Sequence, residues 1–298
     1  MAARGYIMGA ADVVPGVSGG TMAFILGVYE ELLDAIRAVD LKFIRLMLTF
    51  RFREALDDFP WRFVLAIVAG IFTAILTLAK SLSWALENHP TLVWSFFFGL
   101  VLSSVFVVRT RIPRWGIGLL LTTALAALGS YLLVGMVPVE TPNDPWFVFL
   151  SGAIAINAMI LPGISGAFIL VLLGKYKYVL DAVVEGDIVV LLLVISGAVV
   201  GLVTFARLLR WLFHNYHDFT VAVLIGLIIG ALRKVWPWKE LIAAETGAVE
   251  ELNYFLEVNV LPDALTPEVF LAVGLMVLGF AVVLLLNQFA ERRSEAAD

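Results

Sequence analysis

Two short runs in this 298-residue chain stand out for what their residue types can do: Pro15-Gly16-Val17-Ser18-Gly19-Gly20-Thr21 and, far downstream, Pro162-Gly163-Ile164-Ser165-Gly166. Each interrupts an apolar stretch, residues 6–36 and 146–183. Proline removes a backbone donor and clashes with the preceding turn, and glycine favours non-helical backbone, so neither stretch runs as one helix. The expected product is a helix, a short loop and a second helix. A helix beginning at Gly19 or Gly166 offers free N–H groups and the positive end of its dipole to the loop, which suits an anion such as phosphate. The hydroxyls of Ser18, Thr21 and Ser165 add donors, and the glycines let a bulky group approach the backbone. The candidate phosphate-binding set is therefore Ser18, Gly19, Gly20, Thr21, Ser165 and Gly166. The competing account makes both runs tight turns whose small residues allow close helix crossing; their recurrence at symmetric positions favours a site.

Ionisable groups within apolar segments are functional candidates by default. Asp12 stands just before the first break with no basic neighbour in sequence, which suits a coupling proton or sodium ion, or else a hydrogen bond that caps the loop. Glu30 and Asn157 join it as candidates for the coupling ion, with an interfacial position or a helix–helix hydrogen bond as the alternatives. Lys80 and Arg207 occupy equivalent places near span ends, where they either receive a phosphate at each face or snorkel to the interface. His89, His214 and His217 fall near span ends, remote in sequence from the glycine runs, and do not form a metal-ligand pattern. With no cysteine in the chain, thiolate metal sites, disulfides and Cys nucleophiles are excluded. No cofactor motif is present, and no basic patch with interleaved aromatics points to nucleic acid.

The elements that hold these residues must be membrane helices. Hydrophobic residues make up 61% of the chain and charged ones 15%, with a mean hydropathy of +0.98. Apolar runs reach the ~20 residues that cross a ~30 Å hydrocarbon core, where only helices or closed barrels satisfy the backbone. Six uninterrupted runs read as spans: 61–86, 92–108, 115–137, 188–212, 219–236 and 267–289. The first apolar stretch, holding Asp12 and a Pro-Gly break, does not read as a cleavable signal peptide.

Comparing the chain with itself reveals a duplication. At an offset of 147, residues 11–35 match 158–182 at 11 of 25 positions, including Pro15/Pro162, Gly27/Gly174 and Tyr29/Tyr176. At an offset of 127, Gly70/Gly197, Lys80/Arg207, Trp84/Trp211 and Gly99/Gly226 pair. The difference is an insertion at 38–59, whose Lys42, Arg45, Arg51 and Arg53 among Phe43, Leu46, Leu48 and Phe52 suit an amphipathic helix on anionic lipid. The expected architecture is all-α and membrane-integral: a first repeat, 1–138, and a second, 139–298, each a re-entrant broken-helix hairpin followed by three spans. With both termini cytoplasmic, 14 of the 20 Lys and Arg residues fall inside. An odd number of spans per half inverts one repeat against the other, so the hairpins enter from opposite faces.

The run from Gly9 through Asp12, Pro15, Gly16, Ser18, Gly19, Gly20 and Thr21, with Leu161-Pro162-Gly163-Ile164-Ser165-Gly166 later, resembles the DUF368 family of membrane proteins across nearly the whole chain. That resemblance implies a transporter, or flippase, that returns undecaprenyl phosphate or a related polyprenyl phosphate across the cytoplasmic (inner) membrane, with the lipid as its partner. The second copy departs at Ala167 and Phe168, where Gly20 and Thr21 stand in the first. An integral-membrane polyprenyl-pyrophosphate phosphatase and a small-anion carrier or channel are the alternatives. Hydrolysis needs a positioned nucleophile, acid–base groups and cationic stabilisation, yet Ser18 is followed by glycines and neither break has a neighbouring His.

Overall fold

The computed structural model describes residues 1–12, 19–57, 59–243 and 255–295. The first half contains α1 (Ala2–Asp12), α2 (Gly19–Ile25), α3 (Tyr29–Arg37), α4 (Leu41–Leu48), α5 (Phe52–Asp57), α6 (Trp61–Asn88), α7 (Pro90–Arg109) and α8 (Ile117–Val134). The second contains α9 (Pro145–Ile160), α10 (Gly166–Leu172), α11 (Tyr176–Glu185), α12 (Ile188–Asn215), α13 (His217–Ala231) and α14 (Pro267–Glu295). Between α13 and α14 an antiparallel hairpin pairs β1 (Lys239–Ala243) with β2 (Phe255–Asn259), an addition to the all-helical expectation.

Among the described residues, α6, α7, α8, α12 and the Pro267–Gln288 part of α14 are long and apolar enough to cross a membrane. Their surfaces say what solvent they meet. Leu120, Leu121, Leu125 and Leu128 of α8 are all exposed, an apolar outer face that belongs against lipid. The expected span at 219–236 is shorter than the sequence pattern suggests, because α13 ends at Ala231 and turns occupy 232–235. Pro237 cannot continue a helix and biases Trp236 away from helical backbone. At 15 residues, α13 is ~22 Å long, and its apolar character serves the protein core: Val221, Ala222, Leu224, Ile225 and Ile228 are almost fully buried.

The insertion forms two short helices, α4 and α5, where one was expected. The Thr49 hydroxyl donates to the carbonyls of Arg45 and Leu46, and Phe50 takes a left-handed φ of 58°, which breaks the helix between them.

Helix pairing repeats across the halves. α1 packs along α6, and α9 packs along α12; α8 packs on α13, and α14 on α7. Glycines set these contacts, since a missing Cβ lets backbones approach where lipid gives no hydrophobic drive to association. They also reveal direction. Gly5 faces Ile67 and Gly9 faces Ile71 and Ala74, so α1 and α6 run the same way. Likewise Gly197 faces Phe149 and Gly201 faces Ala153 along α12 and α9, and Gly226 and Gly230 face Thr123 to Ala127 and Ala127 to Tyr131 along α13 and α8. Because α1 and α6 are parallel, the chain between them returns to the level from which α1 set out.

Candidate functional site

The first turn of α2 meets the second glycine run. The Gly163 N–H in the second break donates to the Thr21 hydroxyl oxygen at the start of α2, at 2.9 Å across 142 residues of sequence. Beside this bond the buried Tyr29 hydroxyl donates to the carbonyl of Ile160, the last residue of α9, at 3.1 Å. Thr21 is buried and Gly163 partly so. Gly163 sits at φ +88°, a conformation that an L side chain rarely adopts. Both short helices end alike, with Gly27 at φ +70° after α2 and Gly174 at φ +62° after α10.

Asp12 closes the first break. Its Oδ1 accepts the Gly19 N–H at 2.6 Å, so a carboxylate of the chain itself occupies the start of α2. A Cβ on Gly19 would run into that carboxylate, and a Cβ on Gly166 would stand 2.6 Å from the carbonyl oxygen of Ala155 in α9. The close approaches these glycines permit are therefore to Asp12 and to α9. Ser165 precedes α10 as its N-cap, partly buried, with no side-chain capping bond. Gly20 lies beside Gly19 in the first turn of α2. Ser18, Pro15 and Gly16 lie outside the described residues.

Asn157, one turn before the second break, has a buried Oδ1 with no hydrogen-bond donor among the described residues, and the same holds for the Ser103 hydroxyl in the middle of α7. A buried acceptor left open costs ~1–3 kcal/mol, so these are places where a ligand, ion or water gains most.

The remaining candidates are spread towards the ends of the helices. Lys80 is exposed on α6. Arg207 is exposed on α12 and lines a cavity of about 580 Å³ with Arg37, Arg210, Trp211, His214 and Asn215. Glu30 belongs to this end: its carboxylate pairs with Arg210 at 3.2 Å, while Arg210 also pairs with Asp34 at 3.0 Å. Glu30 is thus tied into an ion-pair network between α3 and α12. Arg111, in the connection after α7, donates to the Phe24 carbonyl at 2.9 Å and lies 5.0 Å over the Phe24 ring. Burial lowers the Arg111 guanidinium pKa from its ordinary value and the Glu30 carboxylate opposes that drop, so the group stays charged at the negative end of α2.

Arg210, Arg111, Tyr29 and Ser103 were not singled out by sequence reasoning. A signal existed for two of them: Tyr29 recurs as Tyr176 in the repeat, and Ser103 is a polar residue inside an apolar run. Arg210 and Arg111 gave none, since their partners lie 180 and 87 residues away.

Comparison with known proteins adds to this geometry. A model of the VCA0040-like family, undecaprenyl phosphate translocase-like, matches residues 8–252. A polyprenyl-phosphate transporter of Vibrio cholerae serotype O1 is 41% identical over 295 residues, covering 97% of this chain and 96% of that one. A polyprenyl-phosphate transporter of Staphylococcus aureus is 28% identical over 256 residues, covering 78% and 84%. No solved structure matches the chain.

Proposed function

The chain belongs to the VCA0040-like family of undecaprenyl phosphate translocase-like membrane proteins, and from that membership we propose that it transports polyprenyl phosphate across the cytoplasmic membrane. The hydrogen bond from the Gly163 N–H to Thr21 supports the mechanistic part of this reading, because it joins the second break to the first turn of α2. The lipid phosphate binds there, against the hydroxyls of Ser18, Thr21 and Ser165 and the backbone of Gly19, Gly20 and Gly166, while the polyprenyl tail stays in hydrocarbon. Asp12, already seated on the Gly19 N–H, is the anion that the phosphate displaces. Exchange of one for the other couples transport to a proton or sodium ion at Asp12, with Asn157 as a neutral oxygen ligand.

Helix directions support an inverted duplication. α6 and α8 run one way, and α13 runs with α8; since α12 and α14 reverse from α13, they run against α6. Each hairpin then enters from and returns to its own face, the first from the cytoplasmic side with both chain termini. Arg37, Arg207 and Arg210 lie at that face, where their cavity receives the lipid headgroup. Phosphatase activity finds less support, because both named relatives are transporters.

Translocation of a labelled polyprenyl phosphate in reconstituted vesicles tests the reading. The parental chain is expected to move the lipid. Thr21→Val keeps the shape of the side chain but strands the Gly163 N–H, a loss of ~1–3 kcal/mol, and should slow transport roughly tenfold or more. A folded parental chain that leaves the lipid in one leaflet contradicts the function; a Thr21→Val chain at the parental rate removes the breaks from it.

A further inference from the structure

At the other end of α12 from the arginines lies a second cavity, of about 490 Å³, with a buried lysine in its lining. Lys175 follows Gly174 at the turn between α10 and α11, and it is 1% exposed. Its Nζ donates to the Thr141 carbonyl and to Asn143 Oδ1, both at 2.6 Å, and lies 5.7 Å from the rings of Phe147 and Tyr178. Phe147 stands in the first turn of α9, which runs alongside α12 in the same direction with Phe149 level with Gly197, so this cavity and the arginine cavity at Arg207 and Arg210 lie towards opposite ends of α12.

The ammonium is buried with neutral acceptors and π faces alone. Among the described residues it has no carboxylate partner. Two carboxylates line the same cavity, Asp181 and Glu140. Asp181 is taken by Lys177 at 2.9 Å, and Glu140 forms no ion pair with Lys175. Burying an unpaired charge is costly, and two hydrogen bonds to neutral oxygens offset only part of it. The third Nζ proton is unspent by these bonds. Pro138, Val139 and Val171 add apolar residues to the lining. A cavity with a buried cation, tyrosines and apolar residues fits an anionic head carried on a hydrocarbon.

We propose that the Lys175 cavity is a phosphate site, taking the phosphate monoester of a polyprenyl lipid or free orthophosphate at the face opposite the arginine cavity. It takes its substrate class from the transport reading above but is a separate site from the breaks. Lys175 supplies the positive charge, and Thr141 and Asn143 hold the ammonium in place. The sequence pairing of Lys80 with Arg207 as receivers at the two faces is thereby replaced by Lys175 with Arg207.

Calorimetric titration of the full chain in nanodiscs with farnesyl monophosphate, inorganic phosphate and farnesol tests this. More than one farnesyl phosphate binding event is expected, one of which weakens at least about tenfold in Lys175→Met, while farnesol binding stays unchanged. Since Lys175 also ties down residues 141 and 143, Asn143→Asp provides the second measurement: it places a carboxylate on the ammonium. That variant is expected to melt at or above the parental temperature yet lose the same binding event. Competition by inorganic phosphate assigns the site to free phosphate; failure to compete assigns it to the lipid headgroup. Parental farnesyl phosphate binding in Asn143→Asp overturns the proposal and leaves Lys175 a structural staple. Loss of that event in a chain that never translocates lipid overturns the transport reading alone.

Discussion

The two hairpins share a sequence pattern but not a setting. Tyr29 and Leu33 of α3 are 1% and 0% exposed, whereas their repeat equivalents Tyr176 and Leu180 of α11 are 46% and 51% exposed. α3 is seated on α12, a helix of the other half; α11 packs on α10 and α12 of its own half. Residue differences between the halves explain this. Arg210, which holds Glu30 and Asp34, corresponds to Ser83 in α6, and Glu30 corresponds to Lys177, which turns to Asp181 within α11. One hairpin is latched across the halves. The other is held by α9 and by the connection at 138–143, where the Val139 N–H donates to the Leu172 carbonyl and the Thr141 hydroxyl to that of Leu173. Under the proposed transport by opposed repeats, this difference makes the first hairpin's face the more tightly held of the two.

Truncating the two equivalent leucines gives the largest expected contrast. Leu33→Ala opens a cavity in the buried cluster that also holds Tyr29 and Phe213, and should destabilise the chain towards the low end of the ~2–5 kcal/mol seen for buried leucines, since a lipid environment removes part of the transfer term. Leu180→Ala should cost under ~0.5 kcal/mol. Unfolding in mixed detergent reads both, and equal losses would erase the distinction between the hairpins.

Breaking the latch should have a smaller thermodynamic effect. The Arg210, Glu30 and Asp34 side chains are each a third or more exposed, so Arg210→Ala is expected to cost no more than ~1 kcal/mol of stability. Its signature is kinetic: vesicle translocation should become less sensitive to salt and change in rate, while Arg210→Lys retains part of the parental behaviour. Unaltered transport in a folded Arg210→Ala chain would make the ion pairs ornamental to transport.

Much of this architecture was legible in residue order. The second Pro-Gly run announced the end of α9 at Ile160 and the restart at Gly166 because proline and glycine act locally, and the offsets of 147 and 127 link helices that pair alike, α1 with α6 and α9 with α12. The run 219–236 was legible as a helix but not in its length, because apolar content does not mark where a helix stops; α13 ends at Ala231, and Pro237 was the available cue. The contacts that join the halves were hidden, since nothing local links Thr21 to Gly163 or Glu30 to Arg210. Asp12 was legible as an unusual residue, and its hydrogen bond to Gly19 is the capping role weighed beside ion coupling. Gly19 and Gly166 looked open to a ligand, yet the structure places Asp12 and the Ala155 carbonyl against them, so bulky substitutions there disturb packing as well as any site.

Ser165 is the position at which the central claim is most directly tested. It is partly buried beside the second break, and in a chain with no cysteine the variant Ser165→Cys carries a single thiol. The rate of its modification by a small methanethiosulfonate reagent should fall roughly tenfold when polyprenyl phosphate is present at ten times its dissociation constant, and the corresponding polyprenol should give no protection. Equal modification rates with and without the phosphate lipid, in a chain that still binds it, would place the phosphate away from the breaks.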